Sequence, residues 1–571
     1  MYIFRLSFFN KLLYTILMAL KKVNFAAGFN KQGVASALPG KWVDGDFVRF
    51  RYTAPEKIGG WSQLTAASLT LPGAARAQVA FTSLAGEKYA AIGTSQGLFL
   101  YYGNDFYDIS PLDTAITGGT LTTTNGSRTI TINKGSHGLA VGRYVTLSGI
   151  TVTGASAYTP SELEKAYEIL TVPDIDKFTV QAATAETGSG MTAAGAVTVN
   201  PYVEIGPTIQ TVGYGWGTYL WGDSTWGTER AVSNVTLGLG NWSLDNFGEV
   251  LVATIFNGQT FTWDAGATNA RITRASKTTS NFQTTNNPTA SRFTLVSDRD
   301  RHLFHFGTET TIGNPASYVN GAVYWMSNEG GFFMYDGTVK ALPCLVEDFV
   351  FTIQNGNLGL NFNSSDVIFS SPNSLFTEVN WFYPKSGSDQ IDRCVTYNYQ
   401  ENVWTTSSLD RTSYQDQGVF NKPYATDYED SGTPVFPDIL GITNKYGASI
   451  YYAHEVGNDQ VNSAGTTSIN AFIRSGDFDI DDGEFFMSMK RFMPDYKFLV
   501  GNSKVTIFIS DFPSDTQASS ALGPFTITKT TDKVDTRARA RLLSIKIECD
   551  AVGETWRYGS FRLDAQPDGR R

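Results

Sequence analysis

The densest group of ligand-type side chains in the sequence is acidic: Asp477, Asp479, Asp481, Asp482 and Glu484 fall within eight positions. Their alternating spacing is compatible with calcium. The roughly 12-residue loop with its closing bidentate Glu is missing, however. Two other readings therefore come first: a solvated edge that blocks strand addition, or a negatively charged channel face. A basic group follows at Arg537, Arg539 and Arg541. On a strand these alternate onto one face, where guanidinium groups pair with phosphate or with carboxylates of a neighbouring subunit. With 44 Lys+Arg against 54 Asp+Glu, and so a net charge of −10, subunit contact is the preferred reading. The third group is aromatic. Residues 213–227 carry Trp216, Trp221 and Trp226 with two Tyr and five Gly, which is large apolar surface on permissive backbone. Packing within the chain or between subunits is preferred over stacking on a sugar.

Catalytic patterns are missing. His302 and His305 sit among Leu303, Phe304 and Phe306, a strand context in which positions three apart point to opposite faces and cannot share a metal. His137 and His454 read as structural polar residues. The sialidase-type turn Ser-x-Asp-x-Gly-x-x-Trp is approached only by Ser243, Asp245 and Gly248, with the glycine one place late and no tryptophan. The spacing Gly-x-Ser-x-Gly occurs once, at Gly93-Thr-Ser-Gln-Gly97, but within a strand–turn–strand repeat rather than ahead of a helix, so it is not a nucleophile elbow; no Gly-Lys-Ser/Thr phosphate loop occurs. The expectation is a protein with no catalytic residues, no metal and no cofactor.

The elements that position these groups are strands. The 571 residues include 55 Gly, 13% aromatic and only 17% charged side chains, against roughly 25% charged in an average globular chain. At 42% apolar, the chain has ample material for packed cores. Its acidity argues against gripping nucleic acid by net charge. Cys344, Cys394 and Cys549 are too scattered for a disulfide scaffold or a zinc ribbon. A length of roughly 150 residues per domain suggests three or four units.

Helix is expected only around 160–167 and near 342–354. A hairpin recurs at 88–102, 249–264, 322–337, 394–404 and 439–452. Each repeat reads as an inner strand, a Gly/Asn turn and an aromatic outer strand. Such sheets must stack radially to bury both faces, as propeller blades do, and five to seven are expected. Two segments break the pattern. The Thr/Gly/Ala-rich residues 118–204 suggest a small β-barrel inserted in a propeller loop, and the long alternating strands from 468 onward suggest a β-sandwich. The expected fold is thus all-β: an irregular β-propeller (21–117 and 205–467), an inserted barrel module (118–204) and a C-terminal β-sandwich (468–571). Residues 1–20 form an apolar extension, too short to span a bilayer. Three readings of it stay open: a start mis-assigned ahead of Met18, an incidental extension, or a targeting segment.

Several stretches resemble tail nozzle, or DNA-stabilisation, proteins of short-tailed bacteriophages. They are Val23–Gln32, Trp42–Phe50 with Pro55–Trp61, the 213–227 loop, Val323–Ser327 with Phe333–Gly337, Tyr397–Trp404, and the close from Trp556 to Arg571. The resemblance implies a structural, non-enzymatic virion protein. As a homohexameric ring it would close the distal end of the tail, retain the packaged DNA and form the conduit for its ejection. The implied partners are further copies of itself, the tail adaptor ring, tail fibres or spikes, passing DNA without sequence-specific binding, and the host envelope. A receptor-binding or glycan-degrading tail component built on a β-propeller is the alternative.

Overall fold

The computed structural model describes residues 20–64, 70–152, 156–209, 239–277, 288, 290–297, 302–306, 316–319, 321–327, 330–352, 359–429, 447–479, 483–513 and 521–570. They are overwhelmingly strand. Helix is confined to short pieces, among them Pro160–Leu163, started by a Thr159/Glu162 capping box, and Glu347–Phe351. No helix among the described residues is long and apolar enough to cross a membrane.

The ring is built from antiparallel meanders. Four-stranded sheets occupy 75–108, 242–277, 316–342 and 369–407, and a two-stranded hairpin occupies 293–306. A further sheet starts at 411 and runs through Arg411–Gln415, Tyr424–Glu429 and Ala448–His454. The first strands of successive sheets lie against one another: Ala316–Val319, Phe369–Asn373, Arg411–Gln415, Ala75–Thr82, Trp242–Phe247 and Phe293–Val296. Six positions thus succeed one another in series among the described residues, one of them holding only two strands. The architecture is all-β and propeller-like.

Three of the recurring hairpins prove to be the second and third strands of their blades, and the one at 394–404 the third and fourth. The innermost strands, such as Trp242–Phe247, carry more polar residues and gave a weaker signal. Of the fifth repeat, only the part from 447 lies within the described residues.

The last blade is completed from the other end of the chain. Trp61–Gln63 pairs antiparallel with Ala448–His454 and parallel with Asp459–Asn462. N-terminal and C-terminal segments therefore share one sheet, which locks the ring without a covalent bond.

The N-terminal segment also corrects the expected boundaries. Residues 21–57 fall within the segment 21–117 expected to be propeller, but their strands belong to the sandwich. Lys21–Val23, Val48–Arg51 and Ala54–Lys57 join the sheet of Met487–Val500, Val534–Ala540 and Thr555–Pro567. Trp42–Asp46 joins the facing sheet through Ala471–Ser475. The reason is apolar area: Trp42, Val48 and Phe50 are fully buried in a core shared with Trp556, Tyr558 and Phe561, and Trp42 meets Tyr558 edge-on at 6.3 Å. That core continues into the blades through Trp381 and Trp404, stacked at 5.9 Å. Each buried aromatic removes about 150–250 Å² from water, or about 4–6 kcal/mol at 25 cal/mol/Å² before entropy. An exposed ion pair contributes about 0–1 kcal/mol, so the aromatic seam decides where the sandwich sits.

Residues 116–201 form a seven-stranded antiparallel sheet with a separate core including Leu121, Ile130, Val145, Phe178 and Val199. Its edge strands, Ala166–Glu168 and Thr171–Asp174, are consecutive in the chain. The sheet must therefore curl until its edges approach. Entry and exit meet where Asp113 N–H donates to Pro201 O at 2.8 Å. Within the module Glu186, fully buried, accepts from Thr123 Oγ1 (3.0 Å), Ser156 Oγ (2.6 Å), and the Ala157 and Gly188 amides (2.8 Å each). Burial pushes its carboxyl up, but these bonds outweigh that and hold it at about 2, below the ordinary 4.5. The contribution is therefore complete above about 4.5 and is lost as pH falls toward 2. Glu186→Ala is expected to destabilise the module by about 1–3 kcal/mol at neutral pH, read from thermal melts. A variant whose melting matched wild type at pH 7 would contradict this role.

Candidate functional site

Trp216, Trp221 and Trp226 lie outside the described residues, as do Asp481 and Asp482. The rest of the acidic group does not act together. Asp477 is buried, contrary to a solvated edge, because Gly476 packs so tightly under Leu38 that an added Cβ would meet its carbonyl oxygen at 2.2 Å. The Asp477 amide also donates to Ala35 O at 2.9 Å. Glu484 pairs with Arg570 at 2.8 Å. No cluster of three metal-type ligands occurs among the described residues.

The arginines divide between two tasks. Arg537 and Arg539 stand exposed on Val534–Ala540, the edge strand of its sheet, and Arg541 lies just beyond it. Arg539 pairs with Asp568 at 2.8 Å and covers the Phe486 ring at 4.1 Å. Arg541 lies 4.9 Å from the same ring and donates to Arg570 O at 3.1 Å. These two fasten the C-terminal residues to the sandwich. Arg537 instead faces a groove of about 600 Å³, where the register between Met487–Val500 and Val534–Ala540 slips between Met489 and Arg491. Lys490 sits at that slip, and Arg491, on its far side, is held by Asp564 at 2.9 Å.

A second polar assembly was not anticipated from the sequence. Arg49, buried on the sandwich strand Val48–Arg51, reaches into the ring. It pairs with Glu378 at 3.3 Å and with Glu455, and its guanidinium covers the Phe376 ring at 3.5 Å. Asn373 Nδ2 donates to Glu378 at 3.2 Å and to Glu455 at 3.3 Å, and the Gly59 amide donates to Glu455 at 3.1 Å. Beside them Arg411 Nε donates to His454 Nε2 at 2.9 Å, and the His454 ring stacks on Trp61 at 5.5 Å. Burial, with Arg411 and Arg49 nearby, holds His454 well below its ordinary value. Burial also pushes Glu378 up to about 7, with Arg49 opposing it.

The available signal was charge in apolar surroundings: Val48-Arg49-Phe50 and Glu378-Val379 each place an ionisable group inside a strand otherwise bound for the core. Two carboxylates converge here, as hydrolysis of a glycoside would require. Both, however, are engaged by one guanidinium, and the cavity beside them holds about 40 Å³. A ligand pocket takes about 300–1,000 Å³; this one has room for a water. The arrangement can neutralise charge and fix the sandwich on the ring.

No family model matches the chain, and no curated protein matches it. Among solved structures, the Phage phi92 endosialidase aligns at 12% identity over 66% of this chain and 58% of that one, with a TM-score of 0.17. The chain thus spans less than two thirds of that protein. The computationally designed Ika8 protein aligns at 8% identity over 69% and 99%, with a TM-score of 0.22. An exo-beta-1,3-galactanase from Phanerochaete chrysosporium aligns at 9% over 86% and 99%, with a TM-score of 0.18. These similarities are too low to carry an argument, and the fold description rests on strand pairing alone.

The cysteines are poorly suited to act as nucleophiles. Cys344, Cys394 and Cys549 are free and buried, and burial pushes the first two thiols up to about 12 and raises the third. Because the thiolate is the reactive form, none should react with a chromogenic disulfide at pH 8 until urea is added, when all three should titrate. Fast labelling of the native chain would contradict this.

Proposed function

We propose that this chain is a structural subunit of a short phage tail, a nozzle protein that closes the distal end, retains the genome and conducts it outward at infection. The observation that carries the reading is where the stretches similar to nozzle proteins meet. Arg51, next to the Trp42–Phe50 stretch, and Arg557, in the closing one, are 506 positions apart, and the Arg557 guanidinium donates from Nη2 to the Arg51 carbonyl oxygen within one sheet. Apart from 213–227, which lies outside the described residues, the stretches that carry the resemblance contribute side chains to one shared core, among them Phe29, Trp42, Tyr324, Tyr397, Trp404 and Trp556. The acidic balance agrees: a conduit basic along its whole wall would hold duplex DNA through the release of many counterions and stall it, whereas a few isolated phosphate contacts would not. Six copies closing a ring through heterologous contacts would form the conduit, beneath the adaptor ring and among fibres or spikes. A structural role without catalysis is supported by the engagement of Glu378 and Glu455 with Arg49 in a cavity of water size.

Electron microscopy of purified virions tests the proposal. A six-fold ring at the distal tip is expected. Three-fold symmetry, or a location on a peripheral fibre, would overturn it, and depolymerisation of a host polysaccharide by the purified chain would replace it with the glycan-degrading reading.

A further inference from the structure

We propose that the groove between Met487–Val500 and Val534–Ala540 binds the phosphodiester backbone of nucleic acid, with Lys490 and Arg537 as its gripping cations. The choice of nucleic acid among phosphate polymers rests on the nozzle reading; the anion chemistry does not. Four cationic side chains, Lys490, Arg491, Arg537 and Arg539, line about 600 Å³ together with one carboxylate, Asp535. That carboxylate is taken up by Lys533 at 3.1 Å. With Lys533 and the carboxylates Asp564 and Asp568 that pair with Arg491 and Arg539 included, five cations face three carboxylates, a local balance of +2 in a chain of net charge −10.

The cations differ in what they already hold. Arg491 and Arg539 are fixed by Asp564 and Asp568, whereas neither Lys490 nor Arg537 has an ion-pair partner among the described residues. Two fixed walls with two free charges between them suit a ligand that brings its own anions.

Edge protection alone does not account for the arrangement. Charge on the edge strand Val534–Ala540 would discourage pairing with another chain, which explains Arg537. Lys490, however, stands on Met487–Val500, an inner strand paired on both sides. It shares the opening with Arg537 because the slip sets residues 536 and 537 against the single position 490. The hydroxyl residues Ser488 and Thr536 also line the groove, and such groups commonly contact phosphate oxygens.

The experiment is binding of a labelled duplex of about 20 base pairs to the full chain across a salt series. Each phosphate contact contributes about −0.9 to the slope of log K against log salt. The double variant Lys490→Gln/Arg537→Gln is expected to lower affinity by about tenfold or more and to make the slope shallower by about two. Both positions are exposed, and an unchanged thermal melt shows that the fold is kept. Lys340→Gln, on the blade strand Val339–Leu342 and outside the groove lining, should leave binding unaltered.

Equal affinity and slope for the double variant overturn the inference. So does binding seen only with vesicles containing phosphatidylglycerol or with polyglutamate. Sedimentation that shifts on substitution, without any loss of DNA binding, identifies the groove as a contact between copies and likewise overturns it. A distal six-fold ring in virions whose subunit ignores duplex DNA would leave the nozzle reading standing and remove this one.

Discussion

Arg49→Met is expected to destabilise the chain by about 3–5 kcal/mol, the range for removing one member of a buried ion pair. Methionine replaces the aliphatic stem but leaves the carboxylates of Glu378 and Glu455 facing each other without a cation. The loss should depend on pH. Burial pushes Glu378 up to about 7 against an ordinary value of 4.5, even with Arg49 opposing it. Between those values the folded chain binds more protons at this site than the unfolded chain does. The site's contribution is thus complete below about 4.5 and declines as pH rises through the window to about 7. Without Arg49 the folded value climbs further, and the decline continues past neutrality. Urea unfolding should therefore show a smaller loss at pH 5 than at pH 8. Adding Glu378→Gln and Glu455→Gln to Arg49→Met should recover part of it, since the couplings within one network are not additive. A loss below about 1 kcal/mol with no pH dependence would mean that the junction is solvated, as exposed pairs are.

The difference between what the sequence displayed and what it concealed has a physical basis. Strand pairs with a short Gly or Asn turn are local, so Ala322–Met326 with Phe332–Tyr335, or Lys88–Thr94 with Leu98–Tyr102, could be read from periodicity and turn chemistry. The short helix at 160 announced itself through Thr159, Pro160 and Glu162. Membership of a sheet is not local. Nothing in Trp61-Ser62-Gln63 indicates that it pairs with residues nearly 400 positions later, as Gln63 does with Tyr452. Nothing around Trp42 indicates a partner strand at 471–475. The candidate sites follow the same rule. Alternation put Arg537 and Arg539 on one strand, but the groove needs Lys490 from another strand and a slip in register. Arg49, Glu378 and Glu455 come from three segments, and each alone is an ordinary charged residue. Within the acidic group Asp477 departs from the expected solvated edge, because the backbone around Gly476 carries it inward, while Glu484 stays exposed.

Deleting residues 1–63 is expected to abolish folding of both the ring and the sandwich, whereas excising the far longer segment 114–200 should leave both intact. The first change removes strands from the two facing sheets of the sandwich and exposes the core that Trp42, Val48 and Phe50 fill. It also takes Trp61–Gln63 out of the middle of a blade, splitting the sheet and leaving Ala448–His454 and Asp459–Asn462 each without the partner that joined them. Trp61 alone stacks on His454 at 5.5 Å and lies under Arg411 at 4.8 Å. Each large buried aromatic replaced by a small residue costs about 3–5 kcal/mol, so the loss of Trp42, Phe50 and Trp61 together reaches the whole stability of an ordinary domain, about 5–15 kcal/mol. The second change removes a module with its own core, whose entry and exit are joined by the Asp113–Pro201 hydrogen bond of 2.8 Å. Linking Asp113 directly to Pro201 asks the ring for almost no rearrangement. Far-UV circular dichroism, soluble yield and protease resistance of the two truncated chains provide the comparison. For a graded version, Trp61→Ala should cost about 3–5 kcal/mol, and hydrogen exchange should show Ala448–His454 losing protection while Thr129–Asn133 in the module keeps it. If excision unfolds the ring as completely as the N-terminal deletion does, the module is a keystone, and closure through Trp61–Gln63 is not what holds the ring together.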